Sequence, residues 1–133
     1  MVYLKSQTNL GVKERARAQG VNAEERVAAH LQADGFSIVA RNYQVFGGEL
    51  DIVAVKGEQL IFVEVKYRKS PQMAIEYLVP LRKQQRLIYA ARCFMSKVAA
   101  THSYFCRFDV AIVVERGARS ELVYLPNAFQ AGE

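Results

Sequence analysis

The stretch GELDIVAVKGEQLIFVEVK, residues 48–66, decides the fold of this chain. It contains two apolar runs on either side of Lys56-Gly57-Glu58-Gln59, a segment typical of a hairpin turn. A two-residue or four-residue loop places Asp51 directly opposite Glu64, whereas a three-residue loop would shift the register by one. Opposed Cβ atoms lie about 4.5–5.5 Å apart. The hairpin is therefore predicted to hold two carboxylates face to face.

Like charges in this arrangement repel, and a divalent cation between them would remove the conflict. Mg²⁺ commonly takes one or two carboxylates and keeps positions for water and phosphate. Lys66 follows Glu64 by two residues, so both side chains point to the same side of the sheet. A second interpretation stays open, because Lys66 would also lie opposite Glu49 and could form an ordinary cross-strand ion pair there.

Outward from this hairpin the sequence predicts an α/β fold with a mixed central sheet flanked by helices, in the order α-β-β-β-α-β-β. Residues 60–65 are apolar on both faces, which is typical of a strand inside the sheet. Helices are predicted at 23–33, with Asn22 as N-cap and Glu25 in a capping box, and at 80–97. Strands are predicted at 36–46, 49–56, 59–67, 104–115 and 121–125, with a loop at 68–79. This gives a basic arm at 1–19, one domain at 20–126 and a tail at 127–133.

Glu24 stands on the apolar face of the first predicted helix, together with Val27, Ala28 and Leu31. A carboxylate on the core side of an amphipathic helix is unusual. We interpret it as directed into the cleft that holds Asp51 and Glu64. The favourable helix dipole near the N-terminus is the alternative explanation.

Composition restricts the class of protein. The net charge of +5 and the pI of about 9.4 suit a polyanionic partner, either nucleic acid or an anionic membrane surface. No run approaches the roughly 20 apolar residues of a membrane helix, and no secretion signal is visible at the N-terminus. We therefore expect a cytoplasmic protein without a membrane partner, with Cys93 and Cys106 reduced. Neither histidine has a Cys or His at zinc-binding spacing.

Basic residues predict where a polyanion would bind. Arg82, Lys83 and Arg86 share one side of the long helix, which carries no acidic residue from Arg82 to Lys97. Arg41 and Arg68 are further candidates for contacts with phosphates. A solvated basic face is the alternative, and nothing in the sequence predicts readout of bases. A structural ion pair between Arg107 and Asp109 is expected, because the two alternate onto one face of a strand.

Several motifs together resemble the YraN-like family of small bacterial proteins, which is grouped within the PD-(D/E)XK nuclease superfamily. The superfamily pattern of an Asp, a Glu-x-Lys on the next strand and an acid on the preceding helix matches Asp51, Glu64-Val65-Lys66 and Glu24. Leu50 stands where the superfamily often has its proline. The resemblance covers about residues 20–114 and is carried by these further stretches: Ala40-Arg41-Asn42-Tyr43, Gly47 to Val53, Phe62 to Arg68, Arg82 to Leu87 and Arg107 to Val110. The arrangement is also similar to archaeal Holliday-junction resolvases.

The resemblance implies a restriction-endonuclease-like core and metal-dependent hydrolysis of phosphodiester bonds, with DNA, including branched DNA, as the expected substrate. Asp51 and Glu64, with the backbone carbonyl of Val65, would hold Mg²⁺ or Mn²⁺, and Glu24 would complete the metal site. Lys66 would orient the attacking water or stabilise developing charge. Two alternatives remain: a catalytically silent nucleic-acid-binding module, and a dimeric interaction protein. A homodimer is compatible with catalysis, since the related resolvases are dimers.

Overall fold

The fold is a five-stranded mixed sheet with helices on both faces, as the sequence predicts. The computed structural model describes residues 22–70, 74–98 and 103–132, so the predicted arm at 1–19 lies outside the described residues. The first helix, α1, covers residues 22–33. The elements that follow are β1 (Ser37–Val45), β2 (Gly48–Lys56), β3 (Gln59–Arg68), α2 (Ile75–Leu78), α3 (Leu81–Lys97), β4 (Phe105–Arg116) and β5 (Arg119–Phe129).

The strands lie side by side in chain order, from β1 to β5. Neighbouring strands are antiparallel except β3 and β4, which are parallel and joined by the crossover through α3. In the central hairpin Lys56 pairs with Gln59, so the loop is the two-residue Gly57-Glu58, one of the two loop lengths that give the predicted register. The ladder continues in this register to the pair Ile52 and Val63.

Two apolar cores lie on opposite faces of the sheet, because β2, β3 and β4 are covered on both sides. One core joins α3 to the sheet through side chains such as Leu87, Phe94 and Phe62. The other joins α1 to the sheet, with Val27 and Leu31 against Ile61. Residues 60–63 of β3 are buried, which confirms the prediction that this strand is covered on both faces.

Three local predictions were wrong. Asn22 is itself helical and therefore is not the N-cap, and Glu25 forms an ion pair with Arg41 instead of closing a capping box. The segment predicted as a loop at 68–79 contains the short helix α2. Strand β5 continues past Leu125 to the buried Phe129, three residues into the predicted tail.

Within the described ranges, no helix combines the length and the apolar character that a membrane crossing requires.

Candidate functional site

Asp51 and Glu64 meet at the point where the β2–β3 ladder ends. They are the next two positions in the register of the Ile52 and Val63 pair, and the backbone N–H of Val65 donates a hydrogen bond to Asp51 Oδ2 at 2.9 Å. The two carboxyl groups interact with each other by charge and by a side-chain hydrogen bond. Glu64 is 6 % exposed. The site therefore holds two acids that interact with each other, and water has little access to them.

Burial is the largest cause that raises the pKa of Asp51, to about 7, because a desolvated carboxylate loses its hydration. The nearby Glu64 adds charge repulsion in the same direction, and Glu24 adds a smaller contribution. The hydrogen bond from Val65 opposes the shift. At neutral pH the metal-free Asp51 is thus partly protonated, which is the state expected of one acid in a crowded pair.

Two lysines converge on Glu64. The Lys66 ammonium lies 3.1 Å from Glu64 Oε2, and the Lys83 ammonium, which comes from α3, lies 3.6 Å from the same oxygen. The expected alternative pairing of Lys66 with Glu49 is not formed among the described residues. Lys83 was predicted as a phosphate contact only, and its position beside Glu64 brings it to the centre of the site.

Glu24 reaches the same region from α1. Partial burial raises the pKa of Glu24, and the charges of Glu49 and Glu64 act in the same direction. A hydrogen bond from the Asn42 side chain and the charge of Arg41 oppose the shift. The structure thus brings Glu24 within electrostatic range of both Asp51 and Glu64, as the sequence predicts.

Asn42 is the residue near the site to which sequence reasoning assigned no role. It lies between the β1 residues Arg41 and Tyr43, which pair with Ile52 and Leu50, so it is level with Asp51 across the β1–β2 ladder. Its φ is 49°, a left-handed conformation that Asn tolerates better than most residues. The signal that could have indicated it is an Asn within a predicted strand, where this residue type is depleted.

The donor set suits a divalent cation of the Mg²⁺ type. In the described parts of the chain, no three Asp, Glu, His or Cys side chains form a ready metal cage. Asp51 has no ion pair with any described residue and accepts a backbone hydrogen bond from Val65, whereas Glu64 is shared with two lysines. Two carboxylates with water and phosphate completing the shell is a common Mg²⁺ arrangement, and the Val65 carbonyl is the further protein ligand expected from the sequence.

A cleft of about 400 Å³ opens between the β1–β2 turn and α3, and Lys83 connects it to Glu64. Its walls include Glu49 from β2 and Lys83 and Arg86 from α3. Arg82 and Arg86 are exposed and form no ion pair within the described ranges. Three of the five predicted phosphate contacts, Arg82, Lys83 and Arg86, are therefore placed together on the first turns of α3.

The other two predicted phosphate contacts are engaged elsewhere. The Arg41 guanidinium donates to Glu25 at 2.7 Å, and the Arg68 guanidinium donates to the Tyr67 carbonyl at 2.9 Å. Both arginines retain further N–H donors, since a guanidinium has five. Arg41 still acts electrostatically on Glu24, and neither arginine lies on α3 with the other three.

Asp109 has a structural position, as expected from its spacing with Arg107. It is fully buried and accepts two hydrogen bonds from Arg107, both at 2.9 Å. The Tyr124 hydroxyl and the Asn127 backbone N–H also donate to it, at 2.6 and 2.8 Å. These four bonds hold together the place where the β4–β5 register shifts. Asp109 is thus occupied by protein donors and lies outside the candidate site.

Comparison with known proteins identifies the family. Residues 23–113, which include Glu24, Asp51, Glu64 and Lys66, match the family model described as "Uncharacterised protein family UPF0102". The chain belongs to the UPF0102 family. This confirms the predicted YraN-like resemblance. The UPF0102 match extends from α1 into β4 and so contains every element that contributes to the candidate site.

Curated relatives match over most of their length. A UPF0102 protein of Pseudomonas fluorescens is 40 % identical over 114 residues, which is 84 % of this chain and 93 % of the relative. One of Azorhizobium caulinodans is 41 % identical over 118 residues, covering 89 % and 87 % of the two chains. One of Nitratidesulfovibrio vulgaris is 39 % identical over 121 residues, covering 87 % of each.

Proposed function

We propose that this protein is a metal-dependent nuclease that hydrolyses phosphodiester bonds, with DNA as its substrate. The observation that carries the proposal is the contact between Asp51 and Glu64 in a poorly hydrated site on which Lys66 and Lys83 converge. Few structural roles require two acids and two lysines at one site, because each buried charge must be compensated.

Asp51 and Glu64 would hold Mg²⁺ or Mn²⁺, with Glu24 and the Val65 carbonyl as the further candidates. A cation bound there supplies Lewis acidity, which favours ionisation of water and neutralises charge on a phosphate. Bringing a cation to the carboxylates also frees the lysines from their role as counter-ions to Glu64.

Lys66 is the residue to which we assign stabilisation of the developing negative charge. Its side chain is 18 % exposed, so its ammonium acts where water screens it weakly. Lys83 has a side chain that is 40 % exposed, which suits a residue that binds a phosphate entering from the cleft. Arg82 and Arg86 would continue this basic surface along α3, giving electrostatic binding without recognition of sequence.

A nucleic-acid-binding protein without cleavage is the second candidate. The observation that favours it is the double neutralisation of Glu64 by Lys66 and Lys83, which stabilises the site in the absence of a metal. In that case the basic surface of α3 would bind DNA, and the two acids would be structural. Salt-sensitive binding that is indifferent to Mg²⁺ and Mn²⁺ characterises this candidate.

The test is a cleavage panel. Native protein is incubated with single-stranded, duplex, flapped and four-way-junction DNA, in chelator, in Mg²⁺ and in Mn²⁺. Glu64→Gln removes one metal ligand with little change of shape. Glu121→Gln is the matched control, because Glu121 is an exposed carboxylate on β5 that pairs with Arg116 at the end of β4. All proteins are purified in the same way.

We expect cutting that requires a divalent cation, is lost in Glu64→Gln and is kept in Glu121→Gln. Cutting that survives Glu64→Gln would come from a contaminant or another site and would contradict the assignment. Absence of cutting under both metals, with salt-sensitive DNA binding intact, would establish the second candidate instead.

A further inference from the structure

Phe46 is the most exposed large apolar side chain among the described residues. It lies at the tip of the turn between β1 and β2, and 99 % of its surface faces solvent. Phenylalanine is usually buried, since its ring is hydrated unfavourably. The ring packs in neither of the two cores. The ring is therefore free to contact a partner.

The turn that carries Phe46 is held in a fixed position. Val45 pairs with Gly48, so Phe46 and Gly47 form a two-residue turn, and Gly47 has a φ of 95°. A glycine with positive φ at the second central position is what a type II turn requires. The backbone of Gly48 lies directly against α3, where an added Cβ would be 2.7 Å from the Arg86 carbonyl oxygen. Gly48 thus packs the end of this turn against α3.

The same turn forms one wall of the cleft beside α3. Gly47 and Gly48 line it opposite Lys83 and Arg86, and Lys83 lies 3.6 Å from Glu64. Gly48 begins β2 and precedes Asp51 by three residues, or about 10 Å of strand, and Phe46 lies beyond Gly48 in the turn. That length corresponds to about three phosphate steps at the spacing of one strand of a duplex. A strand whose phosphate reached Asp51 could therefore also reach Phe46.

We propose that Phe46 stacks on an unpaired base of a nucleic acid whose backbone lies along Lys83 and Arg86. The inference rests on the proposed function and deepens it, because it names the substrate class as single-stranded or junction DNA. An aromatic side chain next to a basic groove is the combination that binds single strands without regard to sequence. In a continuous duplex the bases are already stacked on each other and offer Phe46 no free face.

Charge complementarity favours this occupant over a second copy of the chain. The protein carries a net charge of +5, and the wall opposite the turn presents Lys83 and Arg86. Two such walls brought together would repel each other, whereas a polyanion is attracted. A dimer through Phe46 is therefore treated as an outcome of the test.

The test uses binding in chelator, so it does not depend on cleavage. Single-stranded DNA with the fluorescent base 2-aminopurine is titrated with native protein, Phe46→Ala and Phe105→Ala. Phe105 is the matched control, because it is also exposed, at 72 %, and begins β4 beside Gln59 at the opposite end of the sheet. We expect quenching by the native protein and by Phe105→Ala, and roughly 5- to 100-fold weaker binding with lost quenching for Phe46→Ala.

A second variant reports stacking from the protein side. The chain contains no tryptophan, so Phe46→Trp introduces a single indole at the turn. We expect its emission to be quenched by single-stranded DNA and much less by blunt duplex. Far-ultraviolet circular dichroism and the melting temperature check that both Phe46 variants remain folded.

Four results would overturn the inference. If Phe46→Ala still binds DNA in a salt-sensitive way and quenches 2-aminopurine as the native protein does, Phe46 does not stack on a base. That result would not contradict the nuclease proposal. Equal affinity for duplex and single strand in the native protein excludes the substrate class. Sedimentation could show that the native protein is a dimer and that Phe46→Ala is a monomer. If DNA binding is unchanged in that variant, the turn forms a contact between two copies of the chain. If the native protein binds no DNA at all, the proposed function fails together with the inference.

Discussion

At the residue scale, the state of Asp51 makes the metal-free protein sensitive to pH. Its pKa is raised to about 7 in the fold, mainly by burial, and is near 3.8 without these interactions. Between about pH 4 and 7, the folded state therefore keeps a proton on Asp51 that the unfolded chain has already released. By linkage, the stability from this proton is present below pH 4 and is lost as pH rises toward 7.

We predict that, in chelator, the free energy of unfolding of the native protein falls by roughly 1–3 kcal/mol from pH 4 to 7.5 through Asp51. Asp51→Asn should flatten this decline, since an amide has no proton to lose. Chemical denaturation at several pH values measures both curves. Parallel curves for the two proteins would show that Asp51 titrates normally.

Asp109 supports a second prediction at this scale. Asp109→Ala leaves Arg107 and Tyr124 without their shared acceptor, and loss of one partner of a buried ion pair typically costs about 3–5 kcal/mol. Tyr124→Phe removes a single hydrogen bond, and we expect about 1 kcal/mol. Glu121→Gln, at an exposed pair, should change less than about 1 kcal/mol. A small effect of Asp109→Ala in urea denaturation would contradict the structural role.

The sequence predicts the position of a side chain where strand alternation or strand pairing determines it. It does not predict a contact that depends on how distant elements pack together. The two-residue loop at Gly57-Glu58 sets the register of the hairpin, in which Asp51 and Glu64 follow the last pair of the ladder, Ile52 and Val63. The contact of Lys83 with Glu64 depends on how α3 crosses the sheet. The hydrogen bond of Asn42 with Glu24 depends on a left-handed residue within a strand. Neither is encoded by a local pattern.

At the element scale, the position of α3 depends on Gly48. The absence of a side chain lets the start of β2 approach the Arg86 carbonyl, and Ala90 Cβ would lie 3.2 Å from a Cβ added there. Helix α3 carries Lys83, so this close approach also sets the distance of Lys83 from Glu64.

Gly48→Ala is expected to lower the free energy of unfolding by about 1–3 kcal/mol, because the added methyl group forces β2 and α3 apart. It should also weaken DNA binding by displacing Lys83. Gly57→Ala is the control: its φ of 60° makes alanine strained, but no atom lies within 4 Å and the turn is remote from α3. We expect it to lower stability and leave DNA affinity unchanged. Equal effects of the two variants on affinity would contradict this account of α3.

Element boundaries show which local signals are decisive. The order of elements followed from apolar periodicity, whereas β5 was predicted to end at Leu125 before Pro126 and Asn127. The strand continues because β5 is at the edge of the sheet, where proline's missing N–H is tolerated. Asn127 takes a φ of 52° and donates its N–H to Asp109. Helix α2, with four residues and no side-chain cap, has no sequence signature of its own.

At the scale of the whole molecule, an excess of basic residues faces the proposed substrate. Arg82 and Arg86 are exposed on α3 and free of ion pairs within the described ranges, whereas Lys56 pairs with Asp34 and Arg116 with Glu121. Equal changes of net charge at these two places should therefore have unequal effects on binding.

The Arg82→Ala, Arg86→Ala double variant should weaken DNA binding and reduce the slope of log affinity against log salt by up to about 2, since each lost phosphate contact removes roughly 0.9. The double variant Lys56→Ala, Arg116→Ala loses the same charge and should keep the native slope. Fluorescence anisotropy from about 50 to 200 mM salt measures both. Identical slopes for the two double variants would show that binding follows net charge alone.

The most direct test of the central claim is the single-turnover rate of DNA cleavage in Mn²⁺ by native protein, Lys66→Ala and Lys56→Ala. The two variants lose the same side chain from strands of one hairpin, but only Lys66 lies at Glu64. We predict that Lys66→Ala lowers the cleavage rate by about 100- to 1,000-fold, the effect typical of removing one group that stabilises transition-state charge. Lys56→Ala should keep the native rate. Equal rates for all three proteins, or no metal-dependent cleavage by the native protein, would contradict a nuclease centred on Asp51, Glu64 and Lys66.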